Sequence, residues 1–219
     1  MRNGVPGAKI TVSGQGIAFE PAAVRASRNR ETANEPINIA FLGRLDPTKG
    51  VHLLIQALNT DQKLAVRLDL YGIAQGESGE AYLQYLKDLT ADDPRVHFLA
   101  PMHAGDVVNR LREYDALAVP SQWLETGPMV VLESFAAGVP VIGSDLGGIA
   151  ELVRNGVDGL VIPPTVEGWA QTLMAICDDR GLLQKLRSGV REPRTIKVVA
   201  QELDQIYLPL LHSHASASR

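Results

Sequence analysis

From residue 37 onward the chain alternates short apolar runs with helical stretches, and most runs end at a glycine, a proline or a charged loop. That order constrains the fold more than any other feature. Strands of four to six residues separated by helices do not pair as hairpins. They build a parallel sheet covered on both faces. Strands are expected at 37–42, 66–71, 96–100, 116–119, 141–143 and 159–162. Helices are expected at 47–59, 80–90, 104–113, 129–137, 166–178, 180–188 and 196–211, with a helical turn at 149–153. Asp46 reads as the N-cap of the first helix and Pro47 as its first helical position. Right-handed crossovers then place every strand-to-helix loop at one edge of the sheet, where ligands of such sheets bind.

The first 36 residues do not share this regularity. Residues 9–12 could form a short strand, broken by Ser13-Gly14-Gln15-Gly16. Residues 21–36 are polar, run between two prolines and read as a linker. At the other end, Ile196, Val199, Leu203, Ile206 and Leu210 recur at steps of three and four, which marks one face of a helix. Pro209 lies near its expected end.

Composition narrows the function. With 219 residues, 45% of them apolar, the chain is long enough for one large domain with a full core. A net charge of −4 argues against a general nucleic-acid binder, which needs a basic face. Cys177 is the only cysteine, so neither an internal disulfide nor a cysteine zinc site can form. His97, His103, His212 and His214 do not have the spacing of a common zinc set, and no metal site is expected. No apolar run has membrane-spanning length, and the N-terminus lacks a signal peptide's apolar core. The chain therefore reads as soluble and cytoplasmic.

Two loops carry the chemistry. In the first, Gly43 follows a strand, Arg44 offers a rigid fork of donors for phosphate oxygens, and Lys49 adds a mobile charge in the first helical turn. Two cations there would neutralise a diphosphate and stabilise it as a leaving group. Taken singly, each would pass for a solvated surface residue. No GxxxxGK[ST] run and no GxGxxG run is present, which disfavours a P-loop enzyme and a plain dinucleotide-binding dehydrogenase. About 80 residues later, Glu125 sits in a loop beside Trp123, and Glu133 interrupts the apolar helix PMVVLESFAA. A carboxylate in such company needs partners, and a pair of ribose hydroxyls would serve. A Glu133 on the helix's solvent face, or one bonded to a local backbone N–H, is an equally good reading of the residues alone. The two could also be the acid and base of a hydrolase, although the cationic loop favours a phosphorylated ligand. Backbone N–H groups around Gly127 and Met129 would face an anion. Asp145, Gly147 and Gly148 look like a tight turn near the same ligand.

The segment Gly43-Arg44 through Lys49-Gly50, together with the Glu-x7-Glu spacing of Glu125 and Glu133, resembles the C-terminal, donor-binding lobe of the group 1 retaining glycosyltransferases. The resemblance covers about residues 10–210. It implies one Rossmann-like α/β lobe, a three-layer sandwich with a mostly parallel sheet, of the two-lobed GT-B architecture. It implies that Arg44 and Lys49 bind the diphosphate of a UDP-, GDP- or ADP-sugar, with Glu125 near the donor sugar and Glu133 on the ribose. Arg44, Lys49 and Glu125 would be the catalytic set. Gly127, Pro128, Met129 and Val130 would offer backbone to sugar or phosphate, and the stretch from Phe98 to Met102, with Pro101, would lie by the nucleobase. No further cofactor is implied.

Two departures stand out. Where many relatives read E-x-F-G, this chain reads Glu125-Thr126-Gly127-Pro128, and the proline removes one backbone donor. Ala100-Pro101 replaces a common glycine. Such enzymes are near twice this length, so the resemblance implies a missing first lobe that holds the acceptor site. Residues 1–36 would then be a remnant of the interlobe segment, 37–192 the nucleotide-sugar domain, and 193–219 a crossover helix and tail. An expressed fragment, a truncated gene product and a split-enzyme subunit all fit, with the fragment favoured. The expected state is a monomer or weak dimer, and peripheral membrane attachment of the full-length enzyme stays open. A nucleotide-sugar epimerase lobe and a stand-alone nucleotide-binding module are the competing readings.

Overall fold

The computed structural model describes residues 10–19 and 35–217. Six strands carry the fold: β1 (Ile37–Arg44), β2 (Val66–Ile73), β3 (Val96–Leu99), β4 (Ala116–Val119), β5 (Val141–Ser144) and β6 (Gly159–Ile162). They form one sheet in the order β3-β2-β1-β4-β5-β6, and every pairing is parallel. The strand order reverses between β1 and β4, which opens a crevice at their carboxyl ends.

The helices are α1 (Val51–Asn59), α2 (Gly76–Thr90), α3 (Val107–Leu111), α4 (Met129–Ala136), α5 (Gly147–Leu152), α6 (Val166–Asp178), α7 (Arg180–Gly189) and α8 (Ile196–Ala217). Side chains alternate across a strand, so the sheet separates two cores. Ile39, Phe41, Leu68 and Ile142 face the first, where α1, α2, α6 and α7 pack around Leu54 and the fully buried Trp169. Ala40, Leu117, Val119 and Val141 face the second, where α3, α4 and α5 supply Leu111, Phe135 and Ile149. Arg95 ties the far end of α1 down: it pairs with Asp93 at 2.6 Å and donates to the carbonyls of Leu58 and Asp61 at 3.0 and 2.8 Å. The Leu58 carbonyl belongs to the last turn of α1, where no helical donor follows, so a largely shielded guanidinium is well placed there.

Residues 10–19 and α8 belong to a second unit. Within it, Ile17 makes an isolated parallel bridge to Thr195, with Ile196 N donating to the Ile17 carbonyl at 2.9 Å. A Cβ at Gly16 would lie 2.7 Å from Val199 and 2.8 Å from the Thr195 carbonyl, so only glycine allows this approach. Glu202 accepts from Ser13 and pairs with Arg194. Among the described residues, no helix is long and apolar enough to cross a membrane.

Several expectations need correction. Residues 10–12 form no strand; Ile10 and Val12 are exposed and join no ladder among the described residues. Lys9 and nearly all of 21–36 lie outside the described residues. β1 and β2 each run two residues further than expected, because Gly43 and Gly72 pair in register and Leu45 fills the space a Cβ at Gly72 would need. Gly43 is therefore in the strand rather than past it. The helix expected from 47 to 59 is split. Pro47–Lys49 form a 3-10 turn, and α1 begins only after Gly50, whose φ of 70° lies in the left-handed region. The 104–113 helix likewise resolves into a 3-10 turn at Ala104–Asp106 and the short α3. α2 starts four residues earlier than expected, and α8 continues past Leu211 with Pro209 inside it.

Candidate functional site

Two loops meet at the carboxyl ends of β1 and β4. The first carries Arg44, the last residue of β1, and Lys49, the last residue of the 3-10 turn. Asp46 caps that turn through Oδ1, which accepts from Thr48 N at 3.0 Å and also from the Thr48 hydroxyl. The second loop runs from Pro120 to Pro128, the N-cap of α4.

Backbone contacts lock the loops together. Gln122 N donates to the Thr48 carbonyl at 2.7 Å. A Cβ at Gly50 would lie 2.0 Å from the Pro120 carbonyl oxygen, so the helix break at Gly50 is what lets the first loop press against the second. Ser121 is buried, and its hydroxyl lies 2.8 Å from Glu125 Oε1 and 3.2 Å from the Thr48 carbonyl. From the other side, Gly148 N donates to the Glu125 carbonyl at 2.6 Å. Added Cβ atoms at Gly147 and Gly148 would lie 2.8 Å from that same carbonyl oxygen.

This frame brings the two sequence motifs into contact. Lys49 Nζ lies 2.5 Å from Glu125 Oε1, with both side chains largely shielded from water. Burial alone would push the Glu125 carboxyl up. Hydrogen bonds from Lys49 and Ser121 and the charges of Lys49 and Arg44 outweigh it, and hold the group below the usual carboxylate range. Arg44 is 59% exposed and its Nη2 lies 3.3 Å from Asp46 Oδ2. Both cations at the crevice thus have a carboxylate beside them.

Glu133 differs. It lies one turn into α4 between buried Leu132 and Ser134. Its carboxylate takes no hydrogen bond or ion pair among the described residues, and burial pushes its pKa up. Ser134 spends its hydroxyl on the Val139 carbonyl at 2.9 Å, closing the helix end.

The remaining candidates are spread along the same edge. Gly127 and Pro128 are partly exposed, Met129 is 42% exposed, and Val130 leans on the second core. Gly127 N lies against Gly148, where a Cβ would come within 2.7 Å. Phe98 sits inside β3 and packs on the first core. Pro101 lines a cavity of about 420 Å³ with Tyr71, Leu99, Met102, His103 and Arg110. Asp145 follows β5, its N–H bonded to the Ile162 carbonyl. Trp123 and Leu124, each 66% exposed, stand at the tip of the second loop. Ser121, Asp46 and Tyr71 were not singled out from sequence as ligand-facing groups. The only signal for Ser121 was its place straight after a strand-ending proline.

Residues 24–192 match the family model described as "Glycosyl transferases group 1". Among curated relatives, D-inositol 3-phosphate glycosyltransferase of Corynebacterium kroppenstedtii is 31% identical over 80% of this chain, and that of Nocardia farcinica 34% identical over 83%. The chain spans about 40% of the length of each. Among solved structures, the sucrose-phosphate synthase of Thermosynechococcus elongatus superposes with a TM-score of 0.73 at 25% identity, over 89% of this chain and 50% of its own. Anabaena HepE in complex with UDP superposes with a TM-score of 0.71 at 22% identity, over 81% of this chain and 50% of its own.

Proposed function

Because the chain belongs to the group 1 glycosyltransferases, we propose that it is the donor-binding lobe of a retaining enzyme that moves a sugar from a nucleoside-diphosphate sugar to a saccharide or lipid-linked acceptor. The observation that carries this reading is the direct contact between the two motifs, Lys49 to Glu125 at 2.5 Å, at the point where the strand order reverses. In this reading Arg44 and Lys49 hold the diphosphate. When the bond from the anomeric carbon to the diphosphate oxygen breaks and an acceptor hydroxyl takes its place, negative charge grows on the leaving group, and fixed cations lower the barrier. Lys49 would then exchange part of its contact with Glu125 for phosphate oxygens, and Glu125 would turn its free lone pairs to sugar hydroxyls. Glu133, a half-buried carboxylate with no partner of its own among the described residues, would accept from the ribose 2'- and 3'-hydroxyls. Gly127 to Val130 would present backbone to sugar or phosphate, and the Pro101 cavity would receive the base.

In this reading the acceptor site would lie in the part of the relatives' length that this chain does not span. Binding by this lobe alone is therefore expected to be weak, in the micromolar to millimolar range of about −8 to −4 kcal/mol. Titration calorimetry with UDP, GDP and ADP tests the reading. Heat with one of them, and no sugar transfer, is the expected result. No heat with any of the three at millimolar concentration would sink it.

A further inference from the structure

We propose that Asp46 is a positioning residue for Arg44, setting the phosphate-binding arginine in register with Lys49; this rests on the diphosphate role argued above. Its two oxygens serve different elements. Oδ1 is used up by Thr48, through the N–H at 3.0 Å and the hydroxyl, which fixes the carboxylate on the turn that carries Lys49. Oδ2 is sealed from water and has no hydrogen bond, yet lies 3.3 Å from Arg44 Nη2.

The geometry explains the arrangement. Arg44 is 59% exposed at the end of a strand, and a free arginine loses much rotamer freedom when it clamps a ligand. An oxygen that is buried, charged and without a hydrogen bond draws the guanidinium towards it, because no water can reach it instead. The contact is an ion pair but not an aligned hydrogen bond, so it restrains the guanidinium and leaves its N–H fork largely unspent. The restraint is anchored on the 3-10 turn itself, so Arg44 and Lys49 move as one unit. Simple electrostatics predicts the opposite role: a carboxylate beside an anion site repels the anion, and removing its charge should tighten binding.

That conflict supplies the test. Asp46→Asn removes the charge while an amide oxygen still caps Thr48 N, since asparagine is as good an N-cap as aspartate. Titration of the full chain with UDP is compared for the parent, Asp46→Asn, Arg44→Ala and the double variant, with melting temperature read in parallel. The expected result is a loss of UDP affinity of about two- to tenfold for Asp46→Asn, the scale of one mobile side chain no longer held in place. In the Arg44→Ala background the same change should cost nothing further. Affinity equal to or tighter than the parent overturns the assignment, and so does an undiminished loss when Arg44 is already absent. A lower melting temperature with parental UDP affinity also overturns it, leaving Asp46 a cap and nothing more. Arg44→Ala binding UDP as the parent does would instead bring down the diphosphate reading itself, and this assignment with it.

Discussion

Glu125 and Glu133 stand eight positions apart in the sequence and live in opposite surroundings. Glu125 is held from all sides: Lys49 and Ser121 bond its carboxylate, and Gly148 bonds its carbonyl. Its carboxyl is pushed below the usual range. Glu133 sits in a helix with buried neighbours and no ionic or hydrogen-bonding partner among the described residues, and its carboxyl is pushed up. Two carboxylates at one edge, one compensated and one not, divide the labour. The first belongs to a preassembled frame whose hydrogen bonds and cations outweigh the cost of burying its charge. The second stores an unmet demand for hydrogen-bond donors, which suits a ligand carrying hydroxyls.

The largest effect should come from Arg44. Arg44→Ala is expected to weaken UDP binding by about 1.5–3 kcal/mol, the value of charge-assisted hydrogen bonds, with little change in melting temperature. Calorimetry reads it, and an unchanged affinity would mean that the exposed guanidinium is idle. Lys49→Met should differ by harming the fold as well. It strands Glu125 behind Ser121 without its cation, and an unfolding free energy lowered by about 1–2 kcal/mol is expected from urea denaturation at neutral pH. Adding Glu125→Gln to Lys49→Met should recover part of that loss. If the single variant is as stable as the parent, Glu125 is not dependent on Lys49 and the contrast with Glu133 collapses.

A pH series sharpens the same contrast. A carboxyl whose folded pKa is depressed contributes stability above its unfolded value and loses it as pH falls through the folded value. Glu125→Gln should therefore destabilise near neutrality and become harmless in strong acid. A carboxyl whose folded pKa is raised weakens the fold once pH climbs past its unfolded value, near 4.5. Glu133→Gln should then stabilise the ligand-free chain by about 1 kcal/mol or less at pH 7.5, with the gain vanishing at pH 4. The same variant should lose more affinity for UDP than for 2'-deoxy-UDP, and equal losses would assign Glu133 to structure instead. The smallest effect is optical. Trp123 is 66% exposed and Trp169 fully buried, so acrylamide should quench mainly the former, and UDP should alter that quenching. A Trp123→Phe variant that still shows the UDP-dependent change would trace it to elsewhere.

Much of this was legible in the sequence. The strand–helix alternation gave every strand and the shared edge of the loops, because short apolar runs between amphipathic stretches have few other solutions. Ala116–Val119, Gly159–Ile162 and Val166–Asp178 fall where expected to the residue. The first loop was harder. Gly50 lies inside what reads as one continuous helical pattern, but it takes a left-handed φ of 70° and packs against the Pro120 carbonyl, 70 residues away. The Lys49–Glu125 contact was hidden for the same reason: it depends on how closely two loops approach, and no local periodicity encodes that. Residues 10–12 show the converse. Their β-favouring pattern pairs with no strand among the described residues, and propensity alone does not make a strand.

The tip of the second loop has a different kind of interest. Its course is fixed through main-chain atoms: Gln122 N on Thr48, the Glu125 carbonyl on Gly148, and Gly127 flush against the start of α5. The side chains of Trp123 and Leu124, each 66% exposed, point their bulk outward. Residues here can be exchanged without rebuilding the frame, whereas any side chain at Gly147 or Gly148 would dislodge the loop as a whole. The edge is thus separated into a part that variation can explore and a part it cannot. A library built on positions 123–124 should retain folding in most members, and one built on 147–148 should lose it in most.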